Sequence, residues 1–142
     1  FNAMLLSPPI GGALQELGAA VRYRSVLSDR IREMAILVVA VHWGSRFERE
    51  AHEAVGRTAG LTEDELAALR EGRVPELADP AERTAVRTAA VLAREGRLTD
   101  AEYGEAVAAI GERGLFELTT LVGYYATLAL QLRIFAGEGE ES

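Results

Sequence analysis

The sequence predicts an all-α domain, and three observations carry that prediction. No run of residues alternates apolar and polar with period two, as a half-buried strand would. No glycine motif lies between a strand pattern and a helix pattern. Helix-capping residues, by contrast, recur along the chain, each ahead of apolar residues at helical spacing.

Taken in order, Phe1-Asn2-Ala3-Met4 reads as a vector remnant before a start methionine, so residues 1–4 are set apart from a single domain expected over residues 5–137. Leu5-Leu6-Ser7-Pro8-Pro9 is expected to be extended and on a surface. From Ile10 a helix is expected with Leu14, Leu17 and Val21 on one face. Ser28 then caps a helix that buries Ile31, Met34, Ala35, Leu37, Val38 and Val41. Gly60 follows a helix ending near Ala59, as a left-handed C-terminal cap requires. Thr62 with Glu65 forms a capping box for a short helix ending at Gly72. Asp79, Pro80 and Glu82 supply an N-cap, an N1 proline and an N3 carboxylate for a helix that stops at Gly96. Thr99 and Glu102 repeat the capping box, and that segment is expected to end around Gly111 to Gly114.

The last helix is expected from about Leu115 to Ala136 and is apolar on most sides. Such a helix needs cover all round, so Phe116, Leu121, Tyr125, Leu128 and Leu132 are expected to be buried partly by neighbouring subunits. Glu117, Gln131 and Arg133 interrupt it too often for a membrane span, and no membrane partner is expected. The acidic tail, residues 138–142, is expected to fray.

Composition narrows the function. The chain has 142 residues, 49% of them hydrophobic, which suits one domain with a real core and argues against disorder. Fifteen Lys and Arg against 22 Asp and Glu leave a net charge of −7, a poor match to a phosphate backbone, so no nucleic-acid partner is expected. The absence of cysteine excludes disulfides, Cys-ligated zinc and any thiol nucleophile in this chain. With no secretory signal in the sequence, a cytoplasmic location is the expectation.

The chemically informative stretch runs from Glu33 to His52. It places a glutamate in an apolar helix and then, about three turns on, Ser45, Glu48 and His52. On one unbroken helix Glu33 and Glu48 would lie roughly 22 Å apart along the axis and could not share a substrate. The chain must therefore break between them. Trp43-Gly44-Ser45 is the natural place, since Gly44 permits a sharp turn and Ser45 can cap a new helix. Glu48 and His52 are four apart and share a helical face wherever the break falls.

The spacing Glu33-x11-Ser45-x2-Glu48-x3-His52 resembles the E-x11-C-x2-C-x3-H signature of the alkylhydroperoxidase AhpD-like superfamily, with Ser45 and Glu48 in place of its two cysteines. The flanking R-I-R-E-M-A-I-L, F-E-R-E-A-H and A-G-L-T-E-D-E-L, with F-E-L-T-T-L-V-G-Y-Y-A-T-L-A near the end, resemble the cysteine-free carboxymuconolactone decarboxylase branch. The resemblance implies an AhpD-like domain of about six to seven helices, assembled as a trimer or hexamer with the site near subunit contacts. It implies two chemistries. The peroxidase branch needs a redox cysteine pair, which this chain lacks. The decarboxylase branch acts on a carboxylated lactone and needs no cofactor and no metal. There Glu48 and His52 would transfer the proton, with Glu33 orienting His52 or holding a proton itself. Ser45, Arg46 and Arg49 would bind the anionic substrate, with Arg22 and Arg24 as further candidate cations, and one of the tyrosines 124 and 125, taken as Tyr125, would reach the pocket.

Each residue also has a plain structural explanation. Ser45 and Glu48 form an S-x-x-E capping box, Glu33 can pair with Arg30 or Arg32, and His52 can simply pair with Glu48. His42 follows Glu33 by nine residues, on the opposite helical face, and lines the pocket only if the break falls early. His42, His52 and Glu48 have the donor types of a metal site, but ten residues and a break separate the histidines. The alternative to an enzyme is a small-ligand binding or scaffold protein of the same fold.

Overall fold

The computed structural model describes residues 3–137; the acidic tail lies outside the described residues. Among these are six α-helices and no strand: α1 (Pro8–Tyr23), α2 (Asp29–Trp43), α3 (Arg46–Thr58), α4 (Glu63–Arg70), α5 (Pro80–Glu95) and α6 (Asp100–Phe135). Five of the six start with a side-chain cap, Ser45 doing so for α3. Ser28 Oγ accepts from the Ile31 amide, Asp79 accepts from Ala81, and Thr62 and Thr99 make complete capping boxes with Glu65 and Glu102. Their ends obey the same local chemistry. Gly44 and Gly96 take the left-handed conformation that closes α2 and α5.

Two boundaries differ from expectation. Residues 5–9 are not extended: Ala3–Leu6 is a 3-10 turn and α1 begins at Pro8, where proline costs nothing because its missing N–H would be unpaired anyway. Ala3 and Met4, set apart by sequence, thus lie in a turn whose Met4 backbone packs against Gly11. The last two predicted helices are nearly continuous, broken only at Gly111 with φ 75° and ψ 168°. That conformation is open to glycine alone, so the break falls at the first glycine of the pair and the second segment starts earlier than Leu115.

Helix α2 runs through the middle of the domain, with Met34, Ile36, Leu37 and Val39 at most 1% exposed. One cluster joins it to α1, α5 and α6 through Ile36, Val39, Ala89, Leu118 and Leu121. A second joins it to α4 and α5 through Met34, Leu37, Leu66 and Val86. Arg30 ties the far side together, bonding Glu65 on α4, Glu82 on α5 and the Gly60 carbonyl. It is therefore not a partner of Glu33.

The expected apolar face of α1 is only partly right. Val21 is buried and Leu14 half-buried, but Leu17 is exposed, and the close contacts are made by Gly11 and Gly18 instead. On α6 the correction is larger. Leu121 and Tyr125 are covered by the chain's own α2 and neighbouring helices, whereas Phe116, Leu130, Ile134 and Phe135 stand exposed.

Gly18 is where α1 meets α6, and a Cβ there would collide with the Tyr124 hydroxyl. Gly18→Ala is expected to cost about 1–3 kcal/mol by overpacking, read from a urea unfolding curve. An unchanged midpoint would show that the two helices do not approach this closely.

Candidate active site

The turn at Gly44 folds α3 back along α2, so that the middle of α3 lies against the beginning of α2. Ser45 Oγ accepts from the Glu48 amide at 3.4 Å and caps α3. The capping box is half made, however. The Ser45 amide donates to the Ala40 carbonyl, and the Glu48 carboxylate turns to His52 instead of returning to the cap. The capping explanation therefore accounts for Ser45 and leaves the Glu48 side chain available.

His52 sits between two carboxylates. Its Nδ1 is 2.7 Å from Glu33 Oε1, and its Nε2 is 3.3 Å from Glu48 Oε2. The second oxygen of Glu33 accepts from Arg32 Nε at 3.0 Å, and Arg32 in turn reaches Asp29. Side-chain exposure is 1% at Glu33, 8% at His52 and 11% at Glu48, so the row runs outward from the core. Burial by itself pushes the His52 pKa down, but hydrogen bonds and charge from Glu33 and Glu48 outweigh it and raise the imidazole to about 9. At neutral pH His52 is an imidazolium, donating Nδ1–H to Glu33 and facing Glu48 with Nε2–H.

Tyr125 packs edge-on to His52, ring centroids 5.3 Å apart, and Tyr124 packs edge-on to Tyr125 at 4.9 Å. Burial pushes both hydroxyls above the ordinary tyrosine range, so they are neutral groups at any physiological pH. The Arg22 charge opposes that shift at both tyrosines, which places this cation within electrostatic reach of the site. Outside Glu48 lies a cavity of about 170 Å³, lined also by Met4, Phe47, Leu128, Gln131 and Leu132. Glu48 lines that opening, and His52 stands behind Glu48, outside the lining of the cavity.

The remaining candidates are placed elsewhere. Arg46 Nε pairs with Glu50 at 2.9 Å and Arg49 with Glu53 at 3.3 Å, each one turn along α3, so helix geometry turns both toward neighbours other than His52. Arg24 borders a separate hollow with Leu17 and Glu117. His42 comes before the break and is exposed on the opposite flank of α2, where it lines another cavity. Its Trp43 neighbour meets it edge-on at 5.7 Å. His42, His52 and Glu48 are thus not gathered, and among the described residues no three His, Asp or Glu side chains are placed to hold a metal ion. Of the two arginines that the sequence offers as partners of Glu33, the structure gives it Arg32, while Arg30 is engaged by Glu65 and Glu82. Adjacent residues on a helix point about 100° apart, and only the long reach of arginine brings them together. Of the two tyrosines the sequence reading takes Tyr125, and the structure adds Tyr124 behind it, linking Gly18 to Tyr125.

The comparisons with known proteins bear on the fold and the family. A model of the carboxymuconolactone decarboxylase family matches residues 8–91, more than half of the chain and the whole stretch carrying Glu33, Ser45, Glu48 and His52. A crystal structure of a protein of unknown function from Agrobacterium tumefaciens, proposed to be the antioxidant defence protein AhpD, superposes with a TM-score of 0.80. It is 18% identical, and the match covers 97% of this chain and 93% of that one, which speaks for the fold. No curated protein matches the sequence. With an AhpD-like all-helical fold and a match that spans its site, the chain belongs to the carboxymuconolactone decarboxylase family.

Proposed function

We propose that the protein is a cofactor-free proton-transfer enzyme that decarboxylates a small anionic lactone or related carboxylate. The observation that carries this reading is a charged imidazole held between a buried carboxylate and one that borders a cavity. In the proposed reaction the substrate loses CO₂, and the electron pair left behind is delocalised into the lactone carbonyl. A proton then forms the new C–H bond, passing from His52 Nε2 by way of Glu48. Glu33 accepts Nδ1–H throughout, which fixes the ring and stabilises the imidazolium. Because the substrate's own carbonyl takes up the electrons, the step asks for no cofactor. With no thiolate in the chain, peroxidase chemistry of the cysteine-pair type forms no part of the reading. Arg22, rather than Arg46 or Arg49, is the cation nearest in effect to the tyrosines beside His52 and the better candidate for the substrate's carboxylate.

The test is CO₂ release from carboxymuconolactone, with deuterium uptake from D₂O into the product. Glu48→Gln is expected to lower turnover about a hundredfold while leaving the helical content unchanged. Full activity in that variant would sink the assignment of Glu48.

One observation favours the scaffold alternative: every buried side-chain polar atom among the described residues already has a partner, so the row of charges is complete without a ligand. A thermal-shift screen of lactones and dicarboxylates on wild type and His52→Ala separates the two. Stabilisation of the wild type alone supports the enzyme, and none in either supports the scaffold.

The same reading includes a homo-oligomer, a trimer or hexamer. Its support is the exposed apolar surface left by the single chain, with Phe47 62%, Phe116 72% and Ile134 70% exposed. None of the described helices is long and apolar enough to cross a membrane. Light scattering at micromolar concentration is expected to give a multiple of the chain mass, and a monomer would overturn this part.

A further inference from the structure

On the flank of α2 turned away from Glu33 lies a second cavity, of about 130 Å³, closed by α5 and the segment after α4. Its floor is apolar, with Val86 buried and Val38 and Val74 half-buried, and its rim carries His42, Arg73 and Arg94. No aspartate or glutamate lines it, on a chain that carries 22 of them against 15 Lys and Arg. The volume is on the scale of the roughly 150 Å³ apolar cavity that takes up benzene in another protein.

We propose that this cavity is a binding site for a small organic carboxylate with an apolar body the size of one ring. The body displaces water from the valine floor, and the carboxylate meets the basic rim. Of the two guanidinium groups, Arg73 is engaged by Glu71 at 2.7 Å, but both side chains are mostly exposed, so an anion competes with that pair at little cost. Arg94 makes no ion pair within 4 Å among the described residues, although its charge reaches Glu102 on α6. The carboxyl ends of α2 and α5, where His42 and Arg94 sit, offset part of the positive charge. Discrimination for the anion therefore rests chiefly on Arg94. None of this depends on the reaction proposed at His52, which lies across α2.

The molecule has its own reporter for the site. Trp43 is the single tryptophan, and its ring lies edge-on against His42 at the rim. The experiment is titration of the full chain with benzoate, benzyl alcohol and acetate, read by Trp43 fluorescence and thermal shift. Benzoate is expected to give a saturable change, benzyl alcohol and acetate a much weaker one. Arg94→Gln, an exposed change that leaves the core alone, is expected to weaken benzoate about fivefold. Ala90→Phe, which fills the cavity, is expected to abolish the response, and Glu48→Gln, which keeps the helices, to leave it intact. The proposal is overturned if benzoate gives no saturable change or binds no better than benzyl alcohol. It is equally overturned if Arg94→Gln binds as wild type does, or if the response disappears with Glu48→Gln.

Discussion

His52→Ala is expected to abolish most of the turnover and to weaken the fold at the same time. Loss of the proton carrier should cost about 10²- to 10⁴-fold in rate. The stability effect comes from what is left behind. Glu33 is 1% exposed and keeps only Arg32, and Glu48 loses the cation it faces. Removing one partner of a buried pair typically costs about 3–5 kcal/mol, because the other charge stays buried. Urea unfolding at neutral pH measures that loss, and circular dichroism shows whether the helices persist in the rate assay. A variant with wild-type stability and reduced turnover would mean that the carboxylates re-pair or take up protons. A variant with wild-type turnover would remove His52 from the reaction.

The second large effect is a stability that falls as the solution becomes alkaline. The His52 pKa is raised from 6.5 to about 9 in the folded chain. A raised pKa means that the folded state holds the proton more tightly than the unfolded one. The contribution is therefore complete below pH 6.5, declines between 6.5 and 9, and is gone above 9. Its size is on the order of 3 kcal/mol, from about 1.4 kcal/mol per pH unit. The acid limb has the opposite sign. Burial pushes the Glu53 carboxyl up, but Arg70 and Arg49 outweigh it and hold it below 4.5. Glu65 is held low in the same way by Arg30 and the Thr62 cap. These contributions are present above pH 4.5 and lost as the pH drops through the lowered values. Stability should peak between the limbs, near pH 5 to 6.5. Unfolding free energy measured from pH 4 to pH 9.5 checks this, with His52→Ala expected to flatten the alkaline limb only. A wild-type curve level between pH 6.5 and 9 would show that His52 is not held as an imidazolium.

The helices themselves were legible in the chain because their start and stop signals act over three or four residues. Ser28, Thr62, Asp79 and Thr99 each meet an amide two or three positions on, and no distant residue has to be known. Of the two boundaries that differ, Pro8 is a residue that suits both an extended segment and the first turn of a helix. The match of Glu48 to His52 was legible for the same reason, since four residues on one helix share a face. The break at Gly44 followed from the need to bring Glu33 within reach, and its left-handed φ of 66° is the form that need takes.

What remained open in the sequence involves two helices at once. Glu33 and His52 are 19 positions apart, and their 2.7 Å contact depends on how far α2 and α3 are each rotated about their axes. The same rotation sends His42 to the opposite flank, points Arg46 and Arg49 at Glu50 and Glu53, and lets Arg32 reach the second oxygen of Glu33. It also decides that Leu121 and Tyr125 face the chain's own core while Phe116 and Ile134 do not. The sequence by itself thus determined the all-helical class, most of the helix ends and the pairing of Glu48 with His52. The tertiary structure alone decided which charges surround the imidazole and which apolar faces stay open. Capping and i,i+4 contacts are local, whereas helix rotation is set by the packing of the whole core.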